Sequence, residues 1–170
     1  MKIVSIFADR LYAFHYEDER DNEYERLMDL WTDVEYLYNF ARLNNKADVQ
    51  AFVADILDQT ETLQDFLDNL DQNNVPYRRY FSALNPAESK NPDLPLQKGK
   101  IRKDWLRLYA VKIDNDCFVI TGGAIKMSQA MQDHPDTNKE LGKMRAARIF
   151  LRQNGVFDDD SFFEFLSEEI

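Results

Sequence analysis

The sequence predicts an α+β fold in which a helical hairpin packs on a small, mainly antiparallel sheet, with further helices at the C-terminal end. Three observations lead there. Between residues 21 and 72, apolar side chains recur three or four apart over two long stretches, the spacing of core-facing helices. Residues 105–121 read as two β-rich runs around the polar turn Asp114-Asn115-Asp116, the pattern of an antiparallel hairpin. Neither two leading helices nor a later meander can bury an apolar face alone, so the economical arrangement stacks one on the other.

Each element has its own signal. Residues 1–16 alternate or run apolar around Ala8-Asp9-Arg10 and predict one long strand or two short ones. Asp21 is a good N-cap, followed by Glu23 and Glu25 in the first helical turn, where carboxylates favour the positive end of the helix dipole. The stripe Tyr24, Leu27, Met28, Trp31, Val34, Leu37, Tyr38 and Ala41 then predicts a single helix ending at Asn44-Asn45. A second helix starts near Asp48 and carries Val49, Phe52, Val53, Ile56, Leu57, Leu63, Phe66, Leu67 and Leu70, making an αα-hairpin. Residues 71–97, with Asn73-Asn74 and four prolines at 76, 86, 92 and 95, keep no period and predict a long irregular connection, a hinge or a partner-covered loop.

The strand from Trp105 to Ile113 places Arg107 on the same parity as Trp105 and Tyr109, with Lys112 on the opposite face. Cys117 to Thr121 forms its partner, and Gly122-Gly123 is expected to weaken that strand's end. Pro135-Asp136-Thr137 supplies helix-start residues. A helix through Leu141, Met144, Ala147 or Arg148, and Leu151 should end at Gly155, a natural C′ residue. Residues 156–170 predict an acidic, aromatic C-terminal helix from Ser161 through Phe162, Phe163, Phe165 and Leu166, with Asp158-Asp159-Asp160 as capping residues. At 170 residues the whole chain, 1–170, fits one α+β domain.

Charge is segregated along the chain. The net charge is −10, yet residues 98–155 hold 12 basic against 6 acidic side chains and all five glycines. Residues 1–97 carry 9 basic against 19 acidic side chains, and the tail after 155 carries six acidic and no basic ones. A cationic segment with strand and turn chemistry suggests a surface for a polyanion or an acidic partner. No cationic, long-apolar leader and no stretch of spanning length is present, so a cytoplasmic protein without a membrane partner is expected. The single cysteine, Cys117, excludes an internal disulfide or a cysteine cluster and reads as a small buried hydrophobe.

Common enzyme signatures are missing: GxSxG, the P-loop, GxGxxG after a strand and HExxH are all absent. The two histidines, His15 and His134, lie far apart in sequence, and the scattered carboxylates read as solvated helix faces, so no metal site and no cofactor is expected. The chemistry lies in the cations. Lys98, Lys100, Arg102 and Lys103 approach the first hairpin strand, Arg107 lies within it, and Lys126 follows the second. Converging cations hold a phosphate and stabilise the charge that builds up in phosphoryl transfer, with Trp105 and Tyr109 placed to stack on bases. The competing arrangement has Trp105, Tyr109 and Val111 packed on the helical hairpin, with Arg107 paired to one of its carboxylates. His134 is either a general acid–base for 2′-hydroxyl attack or simply the turn residue before Pro135.

Two helices, the strand Leu106-Arg107-Leu108-Tyr109-Ala110-Val111, a polar turn, then Phe118-Val119-Ile120 leading to Gly123-Ala124-Ile125-Lys126 and a helix, resemble the RelE/HigB-like toxin superfamily of bacterial type II toxin–antitoxin systems. The resemblance covers mainly residues 100–152 and implies ribosome-dependent mRNA cleavage, so a metal-independent endoribonuclease is the implied enzyme. It makes Arg107 the strand arginine on phosphate, Lys126 the basic residue closing the later strand, and Lys98, Lys100, Arg102 and Lys103 the RNA-binding approach, with Trp105 beside them. His134 and Tyr109 are its candidates for proton transfer. The implied partners are mRNA on the ribosome and an antitoxin or other protein. This chain departs from such toxins in its acidity, its proline-bearing segment and its acidic phenylalanine-rich tail. The alternative expectation is a non-catalytic protein-interaction module that keeps a RelE-like fold.

Overall fold

The computed structural model describes residues 1–91, 93–127 and 134–168. Strands β1 (Lys2–Phe7) and β2 (Leu11–His15) lead into helices α1 (Glu23–Leu30), α2 (Val34–Leu43) and α3 (Val49–Gln72). A 3-10 turn (Tyr77–Arg79), β3 (Phe81–Ala83), the one-turn helix α4 (Pro86–Ser89), β4 (Leu96–Gly99), β5 (Leu106–Asp114) and β6 (Cys117–Ile125) follow. Helices α5 (Pro135–Gln153) and α6 (Asp159–Glu168) close the chain. The fold is α+β, as the patterning predicts.

The six strands form one mixed sheet in the order β1-β2-β6-β5-β4-β3, antiparallel throughout except where β2 runs parallel to β6. Its two faces are covered by different helices. Leu11, Ala13, Leu106, Leu108, Ala110, Phe118 and Ile120 pack with α1–α3 in one core. Tyr12, Phe14, Tyr109, Val111, Cys117 and Val119 pack with α5 and α6 in the other. Burial on both faces explains why β5 and β6 read as almost continuous apolar runs.

Several boundaries differ from expectation for identifiable reasons. The first helix is capped by Asn22, whose side chain accepts the Glu25 amide at 3.1 Å, and not by Asp21. It is also two helices, because the Thr32 hydroxyl bonds back to the Met28 carbonyl at 2.8 Å while Asp33 recaps the chain by accepting the Tyr36 amide. The predicted irregular connection over 71–97 contains the sheet's far edge. Ser82 and Ala83 pair with Lys98 and Gln97, and β4 pairs onward with β5. Gly122-Gly123 does not end its strand, since β6 continues to Ile125. Gly155 takes the left-handed φ of +79° expected of a C′ residue. The last helix starts before Ser161 because Asp158 and Ser161 cap each other, with Asp158 Oδ1 accepting the Ser161 amide at 2.8 Å. Among the described residues, no helix is long and apolar enough to cross a membrane.

Candidate functional site

The cationic residues meet through a register shift. Tyr109 pairs with Gly122 but Ala110 pairs with Ile120, so Thr121 is an extra residue, a β-bulge in β6. Before the bulge Phe118 and Ile120 face α1–α3, whereas after it Ala124, opposite Arg107, faces the α5 side. Lys126, two residues on, therefore shares the Arg107 face, and its amide donates to the Trp105 carbonyl at 2.8 Å. Lys98 is opposite Tyr109 on β4, which puts it on the same face, with Lys100 one pleat further.

Electrostatics agree with that placement. Burial lowers the Lys126 pKa, and Lys98, Arg107 and Lys100 lower it further. Burial likewise lowers that of Lys98, reinforced by Lys100 and Arg107. Among the described residues none of these four cations makes an ion pair. Arg107 donates instead to the carbonyls of Leu106, at 2.9 Å, and Asp104. Hence it is not neutralised by a hairpin carboxylate, and the two arrangements left open by the sequence are decided against that pairing. Lys100 is exposed, while Lys98, Arg107 and Lys126 are half-buried. Tyr109 lies beneath them, fully buried, with a hydroxyl that has no hydrogen-bond partner among the described residues. Burial pushes its pKa up, with Arg107 and Glu140 pulling in opposite directions.

Other candidates lie elsewhere. Trp105 precedes β5 and does not follow its parity: its ring meets Phe52 edge-on at 5.4 Å on the hairpin side, with Lys46 Nζ 3.6 Å from a ring centroid. It is not a stacking platform on the Arg107 face. Tyr109 and Val111 belong to the α5–α6 core, contrary to packing on the hairpin. Arg102 and Lys103 are exposed in the turn between β4 and β5, Arg102 at a left-handed φ of 40°. His134 is the N-cap of α5. Its Nδ1 accepts the Asp136 amide at 3.2 Å, so Nε2 carries the proton toward Asn44 Oδ1 at 2.8 Å. Both ring nitrogens are thus hydrogen-bonded, as the capping role requires. Among the described residues, no group of His, Cys, Asp and Glu could hold a metal. Cys117 is buried as expected.

Beside this face lies a charged cluster that the sequence did not single out. Glu23, fully buried on α1, takes Arg26 Nε at 2.5 Å and Nη2 at 2.9 Å, and also bonds Lys143 of α5. Lys143 Nζ also reaches Glu140 Oε1 at 3.1 Å, and the same oxygen accepts the Gly123 amide at 2.9 Å. Burial raises both carboxyls, but the hydrogen bonds of Arg26 and Lys143 outweigh it at Glu23, whose pKa is lowered, whereas at Glu140 burial prevails. A readable signal existed: Glu140 falls within the stripe Thr137, Leu141, Met144, Ala147 and Leu151 that α5 buries. An ionisable residue at a core-facing helical position marks a buried polar site.

No family model, curated protein or solved structure matches this chain. Fold and site together define an α+β protein with a cationic patch on one face of its sheet that makes no ion pair among the described residues.

Proposed function

We propose that the chain is a RelE/HigB-like toxin homologue that binds single-stranded RNA on its cationic sheet face and cleaves mRNA on the ribosome as a metal-independent endoribonuclease. The observation that carries the reading is the convergence of Lys98, Lys100, Arg107 and Lys126, none of which makes an ion pair among the described residues, with Asp104 the one carboxylate whose charge is felt at Arg107. Like charges gathered and left unpaired cost stability, and a phosphate relieves them. The strand with Arg107-Leu108-Tyr109, the polar turn, the strand running into Lys126 and the following helix occur in the order that the resemblance requires.

In this reading the 2′-hydroxyl oxygen attacks the adjacent phosphorus as the P–O5′ bond breaks, giving a 2′,3′-cyclic phosphate and a 5′-hydroxyl. Arg107 and Lys100 hold the phosphate oxygens and offset the charge that develops there. Lys98 and Lys126, whose lowered pKa values bring them closer to neutrality, take the proton from the 2′-hydroxyl and return one to the departing 5′ oxygen. Tyr109, with its phenol kept protonated by burial, supplies a hydrogen-bond donor beneath Arg107. The overall charge of −10 opposes long-range approach, but at physiological salt a screening length of about 8 Å lets the local patch govern contact.

A translation extract tests this directly. Purified protein is expected to cut mRNA at mapped sites, and Arg107→Ala and Lys126→Ala to abolish cutting while remaining folded. Intact mRNA and unimpaired translation at saturating protein would overturn it. The protein-interaction alternative draws on Phe157, 64% exposed, and Phe163 beside Asp158, Asp159, Asp160 and Glu164, an acidic aromatic surface suited to a basic partner. A stable host partner retained by a Lys126→Ala protein and lost on Phe157→Ser would favour it.

A further inference from the structure

A cavity of about 160 Å³ opens between α1, α5 and the end of β6. Glu140 borders it. Its side chain is 7% exposed, and of its two oxygens Oε1 is held by the Gly123 amide and Lys143, whereas Oε2 has no hydrogen-bond partner among the described residues. Glu140 thus brings to the cavity border a carboxylate with one oxygen free to accept an N–H donor, in a lining that also carries Arg26, Asp136 and Lys139. Leu30 and Trp31 give the cavity an apolar wall on the α1 side. Opposite them runs the backbone of Gly123–Ile125, beyond Ile120, the last β6 residue that β2 pairs. The volume is close to that of a cavity of about 150 Å³ that accepts a single benzene ring, so a one-ring pyrimidine fills it.

The cavity also shares its strand with the cationic face. Ala124, opposite Arg107, borders it, and Ile125, which borders it too, is followed directly by Lys126. We propose that this cavity is the base-binding pocket of the RNA site, taking one cytosine, whose exocyclic amino group donates to Glu140 Oε2. The inference rests on the reading of the cationic face as an RNA site. Cytosine is selected because its N4 amino group is the donor that acidic side chains read, while uracil presents a carbonyl oxygen at that position and would meet the carboxylate oxygen head-on. Single-stranded RNA readers take splayed-out bases in this manner, by their edges, against an apolar wall.

The test uses nucleosides, which lack the phosphate. Cytidine titrated into the full chain is expected to shift the Gly123 backbone amide, with uridine at least about tenfold weaker and adenosine without effect. Glu140→Gln turns the acceptor into an amide donor and is expected to reverse the preference toward uridine. Should that variant fail to fold, Leu30→Phe fills the cavity from its half-buried wall and is expected to abolish the cytidine shift. No shift with cytidine at millimolar concentration, or a shift that survives Leu30→Phe, overturns the pocket. The RNA reading is checked separately by salt-dependent binding of an abasic oligoribonucleotide. Loss of that binding in Arg107→Ala supports the RNA reading, and wild-type protein that ignores the oligonucleotide while still taking cytidine overturns it alone.

Discussion

Glu140 Oε1 accepts the backbone N–H of Gly123 at 2.9 Å, and the strand can lie that close to the carboxylate because positions 122 and 123 carry no side chain. A Cβ at Gly122 would stand 1.9 Å from Glu140 Oε1 and 2.8 Å from Lys143 Nζ, both ends of flexible side chains. At Gly123 it would stand 2.6 Å from the Arg107 carbonyl oxygen, which is backbone and cannot swing away, and 2.9 Å from Leu27 Cδ1. Gly123→Ala is therefore expected to cost about 3 kcal/mol, and Gly122→Ala about 1 kcal/mol, through overpacking of unequal relief. Denaturant unfolding of the two variants checks the order. Equal costs would mean that the carboxylate is as fixed as the backbone.

Lys126 is where function and stability part. The bulge at Thr121 turns it onto the Arg107 face, among cations that it repels. Lys126→Met keeps the aliphatic stem and removes the charge, so it is expected to gain about 0.5 kcal/mol, the scale of a partly exposed charge pair. The same variant is expected to bind RNA more weakly at every sequence and to lower the salt slope by about one. A variant that loses stability along with RNA binding would contradict the picture of mutual repulsion.

The sequence made the large elements legible because their signals are long. Twenty-four residues of helical period in α3, opened by Asp48, leave little choice. β3 and β4 span three and four residues, too few for alternation to rise above the prolines around them, and they are strands only because β5 offers them an edge. The faces were harder than the elements. Strand parity correctly put Tyr109 with Arg107, but carrying the parity of Phe118 and Ile120 forward would have put Lys126 on the wrong side, since nothing local announces a one-residue bulge at Thr121. Trp105 failed for a similar reason, lying one residue before the strand whose parity was applied to it. Glu23 looked like a dipole-favouring residue of a first turn. Its partner Lys143 is 120 residues away and comes beside it only when α5 crosses the sheet.

Arg148 Nη1 binds Glu88 Oε1 at 2.7 Å, and the same oxygen accepts the Leu96 amide at 3.1 Å, so one ion pair fastens α4 and the start of β4 to α5. Both side chains are mostly hidden, 15% and 14% exposed. Burial works against the Glu88 carboxylate, yet the Arg148 and Leu96 hydrogen bonds outweigh it and hold its pKa below the usual 4.5. Such a group stabilises the fold above its unfolded pKa, and that contribution is lost as pH falls through the lower, folded value. Arg148→Ala is expected to cost about 2 kcal/mol at neutral pH, as loss of a charged hydrogen bond does. Because Glu88 loses the strongest of the contacts that lower its pKa, keeping only those of Leu96 and Asn91, the variant should also lose less further stability on acidification than wild type. Parallel pH profiles for the two proteins would show that the pair does not set the acid limb.

At high pH the sign reverses and the buried aromatic core decides. Burial raises the Tyr12 phenol from 10.0 to about 12, with Cys117 and Asp9 adding to it, and burial raises the Cys117 thiol from 9.0 to about 12. A group raised on folding lends stability that is complete below its unfolded pKa and disappears as pH climbs through its folded one. Stability should thus begin to fall above pH 9.0, where the unfolded thiol ionises, and fall faster from 10.0 to about 12. Each group contributes a slope of about 1.4 kcal/mol per pH unit within its own window. The lowered lysines, Lys98 and Lys126, act in the opposite direction up to 10.5, but they are half-buried where Tyr12 and Cys117 are almost wholly enclosed, so the loss prevails. Denaturation free energies measured across this range, with tyrosinate absorbance followed in parallel, are expected to fall together. Cys117→Ala should delay the onset toward 10.0, and Tyr12→Phe should lessen the slope of the upper limb by one group's share, since Tyr24 and Tyr109 among others are raised with it. An alkaline profile unchanged by both substitutions would place the controlling groups elsewhere, among the other tyrosines that burial raises, such as Tyr24 and Tyr109.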